Sequence, residues 1–165
     1  MTNKEASFTE KFPLGKVPAM TLPTGEGIFE SNAIATYAAS FNADELLGAN
    51  AVERAQIVQY TQWFENEVVP AASVWLYPIF GYLKYNKEAH NKAVSDVKKF
   101  LEVFDKVLAT RTFLVGNRVT LADIMAVAAI LRLYTLVRVN LELFSFFLWQ
   151  ASSGTHHDST VMMPP

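Results

Sequence analysis

The sequence predicts an α+β chain that is mainly helical, and three stretches carry that prediction. Residues 11–31 are rich in proline and glycine and hold two short apolar runs, which favours a small hairpin over a helix. Lys87–Leu108 repeats apolar residues at intervals of three and four, which is typical of an amphipathic helix. Residues 120–131 begin with a capping signal and continue as an apolar segment, which is typical of a buried helix.

The composition excludes several classes of function. Hydrophobic residues make up 51% of the 165 residues and the net charge is −2, so a core is possible and no basic surface predicts direct nucleic-acid binding. Cysteine is absent, which excludes disulfides and a cysteine nucleophile. No apolar run reaches the roughly 18 residues of a membrane span, and the polar N-terminus does not look like a secretory signal. We therefore expect a cytoplasmic protein without membrane contact.

The N-terminal elements are expected to be short. Residues 1–12 are polar and are expected to be loose. Two short apolar runs, 19–22 and 27–29, are predicted to pair as antiparallel strands. Ser31 is predicted to be the N-cap of a helix over residues 32–40, because its hydroxyl can accept a backbone N–H of the first turn.

A long helical pattern over residues 52–85 follows, with two interruptions. Pro70 and Pro78 each lack an amide hydrogen and clash with the preceding turn, so a kink or break is expected near each. Aromatic residues recur along this segment, and packing in the core or at an interface is a better interpretation of them than a ligand box. They are Trp63, Phe64, Trp75, Tyr77, Phe80, Tyr82 and Tyr85.

The last predicted helix has the sharpest start in the sequence. Thr120 and Asp123 form a candidate capping box, in which the Thr120 hydroxyl accepts the N–H of Asp123 and the Asp123 carboxylate accepts the N–H of Thr120. The helix is apolar on nearly every side, so we expect it to be buried on several faces. The predicted core residues are Ile57, Trp63, Phe64, Val97, Leu101, Phe104, Leu114, Ile124, Val127, Ile130 and Leu131.

Two groups of motifs resemble the glutathione transferase family. GKVPA at 15–19 and FESNAI at 29–34 resemble the glutathione-binding half of its thioredoxin-like N-terminal domain. FLVG at 113–116 and TLAD at 120–123 resemble the capped core helix of its all-helical C-terminal domain. The resemblance implies residues 1–40 as a partial thioredoxin-like domain, residues 48–138 as a helical bundle, and 139–165 as a divergent, disordered tail.

A narrower resemblance is to the gamma subunits of translation elongation factor 1. It is carried by KFPLGKVPA at 11–19, ESNAIA at 30–35, VVP at 68–70 and TRTFLVG at 110–116. In that family the transferase-like region is a docking platform for the nucleotide-exchange subunits. The resemblance therefore implies other elongation factor 1 subunits as partners, and a homodimer is a further possibility.

The resemblance also implies a set of glutathione-binding residues: Lys16, Val17, Pro18, Glu30 and Ser31. The bond before Pro18 would be cis, exposing the backbone of Val17 to the cysteinyl part of glutathione. Glu30 and Ser31 would hold the γ-glutamyl group, through its ammonium and its carboxylate. The alternative is that Ser31 only caps its helix and Glu30 only balances charge. Glutathione is thus a possible ligand, and no other cofactor is implied.

Departures from the family pattern argue against catalysis. The family's first strand, first helix and second strand should precede Lys11, where only a short polar lead stands. The serine or tyrosine that activates the glutathione thiol therefore has no counterpart, and we assign no catalytic residue. His156 and His157 in the expected tail are weak as metal ligands, and we assign no metal.

Three functions remain open from the sequence. The first is a non-catalytic interaction module of the elongation factor 1 complex, acting in translation elongation. The second is a glutathione-binding protein or glutathione transferase. The third is a truncated fragment without a settled function.

Overall fold

The computed structural model describes residues 2–131 and 133–135, and the chain divides into two compact units after Ile130. The second unit is described only at residues 131 and 133–135, which are helical. The helices and strands are α1 (Ala6–Thr9), β1 (Ala19–Thr21), β2 (Gly27–Phe29), α2 (Ser31–Ala39), α3 (Ala43–Leu46), α4 (Ala51–Trp63), α5 (Val69–Leu76), α6 (Lys87–Leu108) and α7 (residues 121–131). The predicted fold class, α+β and mainly helical, is confirmed.

The two predicted strands pair as an antiparallel hairpin. Met20 lies opposite Ile28 in the register, between the pairs Ala19–Phe29 and Thr21–Gly27. The intervening turn is closed by the amide of Leu22, which donates to the carbonyl of Glu26 at 2.8 Å. These strands form a two-stranded sheet in the described part of the chain.

Residues 2–12 are ordered, which corrects the expectation of a loose N-terminus. A 3-10 turn over Thr2–Lys4 leads into α1, and Phe12 after it is buried. The ring of Phe12 occupies the place where a side chain at position 27 would begin, 2.6 Å from a Cβ built on Gly27. The absence of a side chain at Gly27 thus lets Phe12 close one side of the hairpin.

The helical segment is interrupted just before Pro70, as the proline predicts. A π-turn over Phe64–Val68 joins α4 to α5, and Pro70 lies in the first turn of α5. The wider π-turn accommodates the missing amide hydrogen and the bulk of the proline ring. The break predicted near Pro78 is confirmed, because α5 ends at Leu76. The helical pattern was carried too far only over residues 77–85, which form no helix.

Helix α6 begins and ends at the predicted residues. The side chain of Asn86 caps it by accepting the amide of Ala89 at 2.9 Å. Its most buried positions are Ala93 and Val97, and Phe100 also packs against the core. Leu101 is 40% exposed, so its assignment to the core was wrong.

The burial of α7 also differs from the prediction. Ala122 and Ala126 face the core, whereas Ile124 and Val127 are 46% and 62% exposed. Leu131, in the second unit, is 54% exposed. Helix α7 is therefore buried along its alanine face rather than on every side, and the assignment of these three larger residues to the core was wrong.

One hydrophobic cluster joins α2, α4 and α7 in the first unit. Its buried members are Ala39, Ile57, Phe64, Val68, Leu114, Val115, Leu121, Ala122 and Ala126. The predictions of Ile57, Phe64, Val97 and Leu114 as buried are confirmed, while Trp63, Phe104 and Ile130 are partly buried. The end of the predicted bundle at 136–138 and the predicted tail at 139–165, with His156 and His157, lie outside the described residues.

Candidate functional site

A small surface depression brings together most of the residues that the family resemblance singled out. Lys16, Val17, Pro18 and Glu30 line it, and the remaining lining comes from Phe12, Leu14 and Phe29. Its volume is about 90 Å³. Pockets that enclose a small ligand usually exceed about 300 Å³. A ligand at this depression would therefore be held by one of its parts and remain largely exposed.

The backbone around the depression has two unusual features. The peptide bond between Val17 and Pro18 is cis, as the resemblance implies. Glu30 has a φ of 71°, which is in the left-handed region that residues other than glycine avoid. Backbone outliers of this kind are concentrated at binding and catalytic sites, and this one lies directly before helix α2.

Two charged side chains at the depression are available to a ligand. Within the described residues, the side chains of Lys16 and Glu30 have no hydrogen-bond or ion-pair partner. Both residues are exposed. One cation and one carboxylate at the same depression suit a ligand that carries both charges, as an amino acid group does.

Ser31 occupies a different place from the one predicted. Glu30 is the N-cap residue of α2, and Ser31 is the first helical residue, so the prediction of Ser31 as the cap was wrong. Ser31 is exposed and is not among the lining residues of the depression. At the N-terminus of α2 its hydroxyl remains accessible to an anion.

Contacts from the N-terminal segment hold the loop before Val17. The side chains of Asn3 and Lys4 both donate to the carbonyl oxygen of Gly15, at 2.9 and 2.7 Å. Gly15 itself is buried and has a φ of 55°. Sequence reasoning missed this support, because polar residues near a terminus carry no periodic signal of order.

The capping box at α7 is present, with one bond reversed from the prediction. The carboxylate of Asp123 accepts the amide of Thr120 at 2.9 Å, as predicted. The hydroxyl of Thr120 donates to the same carboxylate at 3.1 Å instead of accepting the amide of Asp123. The second carboxylate oxygen accepts the amide of Leu114 at 2.9 Å, so Asp123 also fixes the preceding loop.

An ion pair fastens the loop before α7 to the N-terminal end of α4. The guanidinium of Arg118 donates to the carboxylate of Glu53 at 2.7 Å and to the carbonyl oxygens of Asp44 and Glu45. The carboxylate of Glu53 also accepts the amide of Ala49 at 3.0 Å. The hydrogen bond from Ala49 and, after it, the bond from Arg118 lower the pKa of Glu53 from its ordinary value of 4.5.

A larger and more apolar cleft of about 580 Å³ lies between α2 and α4. Ile28, Tyr37, Val58 and Leu121 contribute apolar or aromatic lining. The side-chain oxygen of Asn32, another lining residue, is buried without a hydrogen-bond partner. None of the residues that line this cleft is charged.

The side chains around the depression include no group that could activate a thiol. None of the residues that line the depression carries a hydroxyl or thiol that could hydrogen-bond to a thiolate. Among the residues that the structure describes, no three His, Asp or Glu side chains lie close enough to hold a metal ion. Across the same residues, no helix has the length and hydropathy needed to cross a bilayer.

Two family models match separate segments of the chain. The family model for the glutathione S-transferase N-terminal domain matches residues 1–40, and the model for the C-terminal domain matches residues 68–145. The described elements agree with this assignment, since the hairpin and α2 lie in the first match and α6 and α7 in the second.

Curated relatives are more specific. The chain is 44% identical to elongation factor 1-gamma of Artemia salina over 133 residues and 45% identical to that of Homo sapiens. It is 47% identical to elongation factor 1-gamma-B of Xenopus laevis over 135 residues. Each match covers 81% of this chain and 30% of the relative, so the chain spans less than a third of the length of these relatives.

Solved structures agree with the family models. The GST-like domain of elongation factor 1-gamma from Saccharomyces cerevisiae superimposes with a TM-score of 0.67 at 28% identity, covering 76% of this chain and 61% of that one. A glutathione S-transferase from Pseudomonas fluorescens superimposes with a TM-score of 0.66 at 26% identity, covering 77% and 63%. The chain therefore has a glutathione S-transferase-like fold and is similar, over 81% of its own length, to part of elongation factor 1-gamma.

Proposed function

We propose that this chain is a non-catalytic interaction module of the translation elongation factor 1 complex, and that it docks nucleotide-exchange subunits of that complex in the cytoplasm. The observation that carries the proposal is the identity of 44–47% to elongation factor 1-gamma proteins across 81% of the chain. That similarity is well above the 26% identity to a glutathione S-transferase of the same fold. A shared fold does not by itself imply a shared function, so the higher identity to the elongation factor proteins is the comparison that carries the proposal.

The candidate site supports a role without catalysis. A transferase must stabilise the thiolate of glutathione, and a hydrogen bond from a hydroxyl is the usual means. The lining of the depression offers Lys16 and Glu30 as its polar side chains and no hydroxyl. A glutathione molecule seated there would gain no such hydrogen bond from the lining residues.

The proposal is tested by measuring direct binding to a purified nucleotide-exchange subunit of elongation factor 1. We expect the two chains to co-elute in size-exclusion chromatography and to bind in titration calorimetry. A bacterial glutathione transferase of the same fold serves as the control and should not bind. Absence of binding by a folded sample of this chain would contradict the proposal.

Glutathione binding at the depression is the second candidate function. The observations that favour it are the unpartnered charges of Lys16 and Glu30 and the left-handed backbone of Glu30. Because the depression is shallow, we expect weak binding, with a Kd of about 1 mM.

Titration calorimetry with glutathione tests this candidate. Glu30→Gln removes the negative charge while keeping the shape of the side chain, and it should weaken binding at least about tenfold if Glu30 holds the ammonium group. Glu26→Gln, on the hairpin turn, is the matched control. Binding that is insensitive to Glu30→Gln would place glutathione elsewhere, and absence of binding would exclude this function.

A further inference from the structure

The connection between α5 and α6 exposes an unusual concentration of apolar side chains. We call residues 77–85 the aromatic loop. Its six large apolar or aromatic side chains are all exposed, by 40% to 73%: Tyr77, Ile79, Phe80, Tyr82, Leu83 and Tyr85. Scattered exposed apolar residues are normal on a protein surface, but a contiguous group of this size marks an interaction site.

The aromatic loop is a structured surface. The amide of Tyr82 donates to the carbonyl of Tyr77 at 2.9 Å, and the amide of Ile79 donates to that of Leu76 at 3.0 Å. The ring of Tyr82 contacts the rings of both Tyr77 and Phe80, with centroids 5.8 Å apart in each pair. The rings are thus held in place by one another while their outer faces stay in water, so little conformational entropy is lost when a partner covers them.

The charges beside the aromatic loop favour an acidic partner. Lys84 lies within the loop and Lys87 begins α6, and both are exposed. Neither forms an ion pair among the described residues, whereas Lys92 and Lys99 further along α6 are paired with Asp96. The N-terminus of α6 adds the positive end of its dipole, and Glu88 is the carboxylate of this first turn.

These features fit a protein segment better than a membrane surface. Lipid-binding patches usually combine about four to eight basic residues, and here two lysines stand beside one glutamate. Tyrosine and phenylalanine are among the residues that dominate the energy of protein–protein contacts. An apolar segment with carboxylates at its edges would cover the rings and neutralise both lysines.

We infer that the aromatic loop is the surface through which this module docks its partner subunit, and that it takes an apolar segment flanked by acidic residues. This inference rests on the proposed function, which supplies the partner but not the surface. The aromatic rings provide the affinity, and Lys84 and Lys87 provide orientation and a dependence on salt.

The test measures the affinity of the full chain for the purified nucleotide-exchange subunit at two salt concentrations. The double variant Phe80→Ser with Tyr82→Ser should weaken binding at least about tenfold. The double variant Lys84→Glu with Lys87→Glu should weaken it by at least a similar factor and reverse its dependence on salt, because added salt then screens a repulsion. Phe41→Ser and Lys98→Glu change an exposed aromatic residue and an unpaired exposed lysine elsewhere, and should leave the affinity within about twofold.

The outcomes separate the surface from the function. If the unaltered chain does not bind, the proposed function fails and this inference fails with it. If it binds and both loop variants retain full affinity, the docking function stands and the aromatic loop is not its surface. If only the charge reversal has no effect, the acidic character of the partner is refuted.

Two other occupants of the loop would also overturn the inference. Sedimentation tests for self-association of the chain. If the loop variants abolish self-association without changing the affinity for the exchange subunit, a second copy of this chain is the occupant of the loop. Flotation with phosphatidylserine–phosphatidylcholine vesicles tests for membrane binding. If the chain binds the vesicles and the loop variants abolish that binding without changing the affinity for the exchange subunit, a membrane is the occupant. Circular dichroism melts verify that each variant is folded. If the aromatic double variant does not fold, the charge-reversal double variant still tests the surface.

Discussion

The single carboxylate of Asp123 satisfies two backbone amides that lie in separate parts of the chain. One oxygen accepts the amide of Leu114 and the other accepts the amide and hydroxyl of Thr120. Leu114 and Thr120 are both fully buried, so their amides could not turn to water if the carboxylate were removed. The carboxylate also lies at the positive end of the α7 dipole.

Asp123→Ala should therefore lower the free energy of unfolding by about 2 to 3 kcal/mol, more than the loss of an ordinary cap, because two buried amides lose their acceptor. Urea unfolding followed by circular dichroism measures the change. Asp105→Ala, at an exposed position of α6, is the matched control and should change stability by less than about 0.5 kcal/mol. Equal effects of the two substitutions would refute the bridging role.

Glu53 makes part of the stability dependent on pH. Its pKa in the folded chain is lowered by the hydrogen bonds from Ala49 and Arg118. A group with a lowered folded pKa stabilises the fold above its ordinary pKa, here 4.5, and that contribution is lost as the pH falls below this value. Glu53→Gln should thus flatten the decrease of stability between about pH 5 and pH 3.

Denaturant midpoints across this pH range test the role of Glu53. Glu102→Gln, at an exposed position of α6, should leave the acid-induced decrease unchanged. If the Glu53 and Glu102 variants lose stability in acid to the same extent as the unaltered chain, the ion pair with Arg118 does not contribute in solution.

At the scale of elements, helix α7 shows how an alanine-rich face directs packing. Its small residues Ala122 and Ala126 are at 0% and 3% exposure and face the core cluster, while the larger Ile124 and Val127 remain exposed. Small side chains allow α7 to approach its neighbours closely, and the core is filled by Phe64 and Leu114 from other elements.

The two faces of α7 should differ in how strongly a mutation changes the free energy of unfolding. Ala122→Leu adds three carbon atoms to a filled site and should destabilise by about 1 to 3 kcal/mol. Val127→Ser, at 62% exposure, should change the free energy of unfolding by less than about 0.5 kcal/mol. Thermal unfolding of the two variants measures the contrast, and a larger loss for Val127→Ser would restore the sequence-based expectation that α7 is buried all round.

The elements that sequence reasoning placed correctly are those with a local physical signal. The hairpin follows from its turn residues, α6 from its period, and the interruption before Pro70 from the missing amide hydrogen. The N-terminal helix was missed because its order depends on distant partners, such as Phe12 against Gly27. The exposed side of α7 was missed because an apolar sequence does not state which face other elements cover.

The same limit applies to the candidate site. The resemblance identified Lys16, Val17, Pro18 and Glu30, which the structure places around one depression. The resemblance could not indicate that Ser31 lies outside that lining. Glu30 is the N-cap of α2 and Ser31 is its first helical residue, so the two adjacent side chains point in different directions. Nor could it distinguish the exposed rings of Tyr77 and Tyr82 from the packed rings of Trp63 and Phe64, because all four occur in one apolar segment.

At the scale of the whole molecule, one hydrophobic cluster joins α2, α4 and α7 of the first unit. Ala39 of α2 is buried in the same cluster as Ile57 and Phe64 of α4 and Ala122 of α7. The segment that matches the transferase N-terminal domain thus reaches the helical core through α2. The hairpin is different, since its strand residues are half-buried or exposed and a two-stranded sheet is marginal alone.

Native-state hydrogen exchange should divide the first unit along this boundary. Amides in the second half of α2 and in α7 share the core, so they should exchange through global unfolding with equal free energies and equal denaturant dependence. The strand amides of Met20 and Ile28 should exchange through a local opening of lower free energy. Ile57→Val should lower the free energy of unfolding by about 1 kcal/mol. It should therefore lower the exchange free energies of the α2 and α7 amides together and leave those of the strand amides unchanged.

This pattern also decides whether the chain is a working module or a fragment. Equal protection in α2 and α7 requires a cooperative fold, which a docking surface needs in order to present its residues in a fixed arrangement. If α2 exchanged as freely as the strands while α7 stayed protected, the N-terminal segment would not be coupled to the core. If neither helix were protected and the chain bound a hydrophobic dye, the fold would require a partner to form, and the third function considered from the sequence would be the correct one.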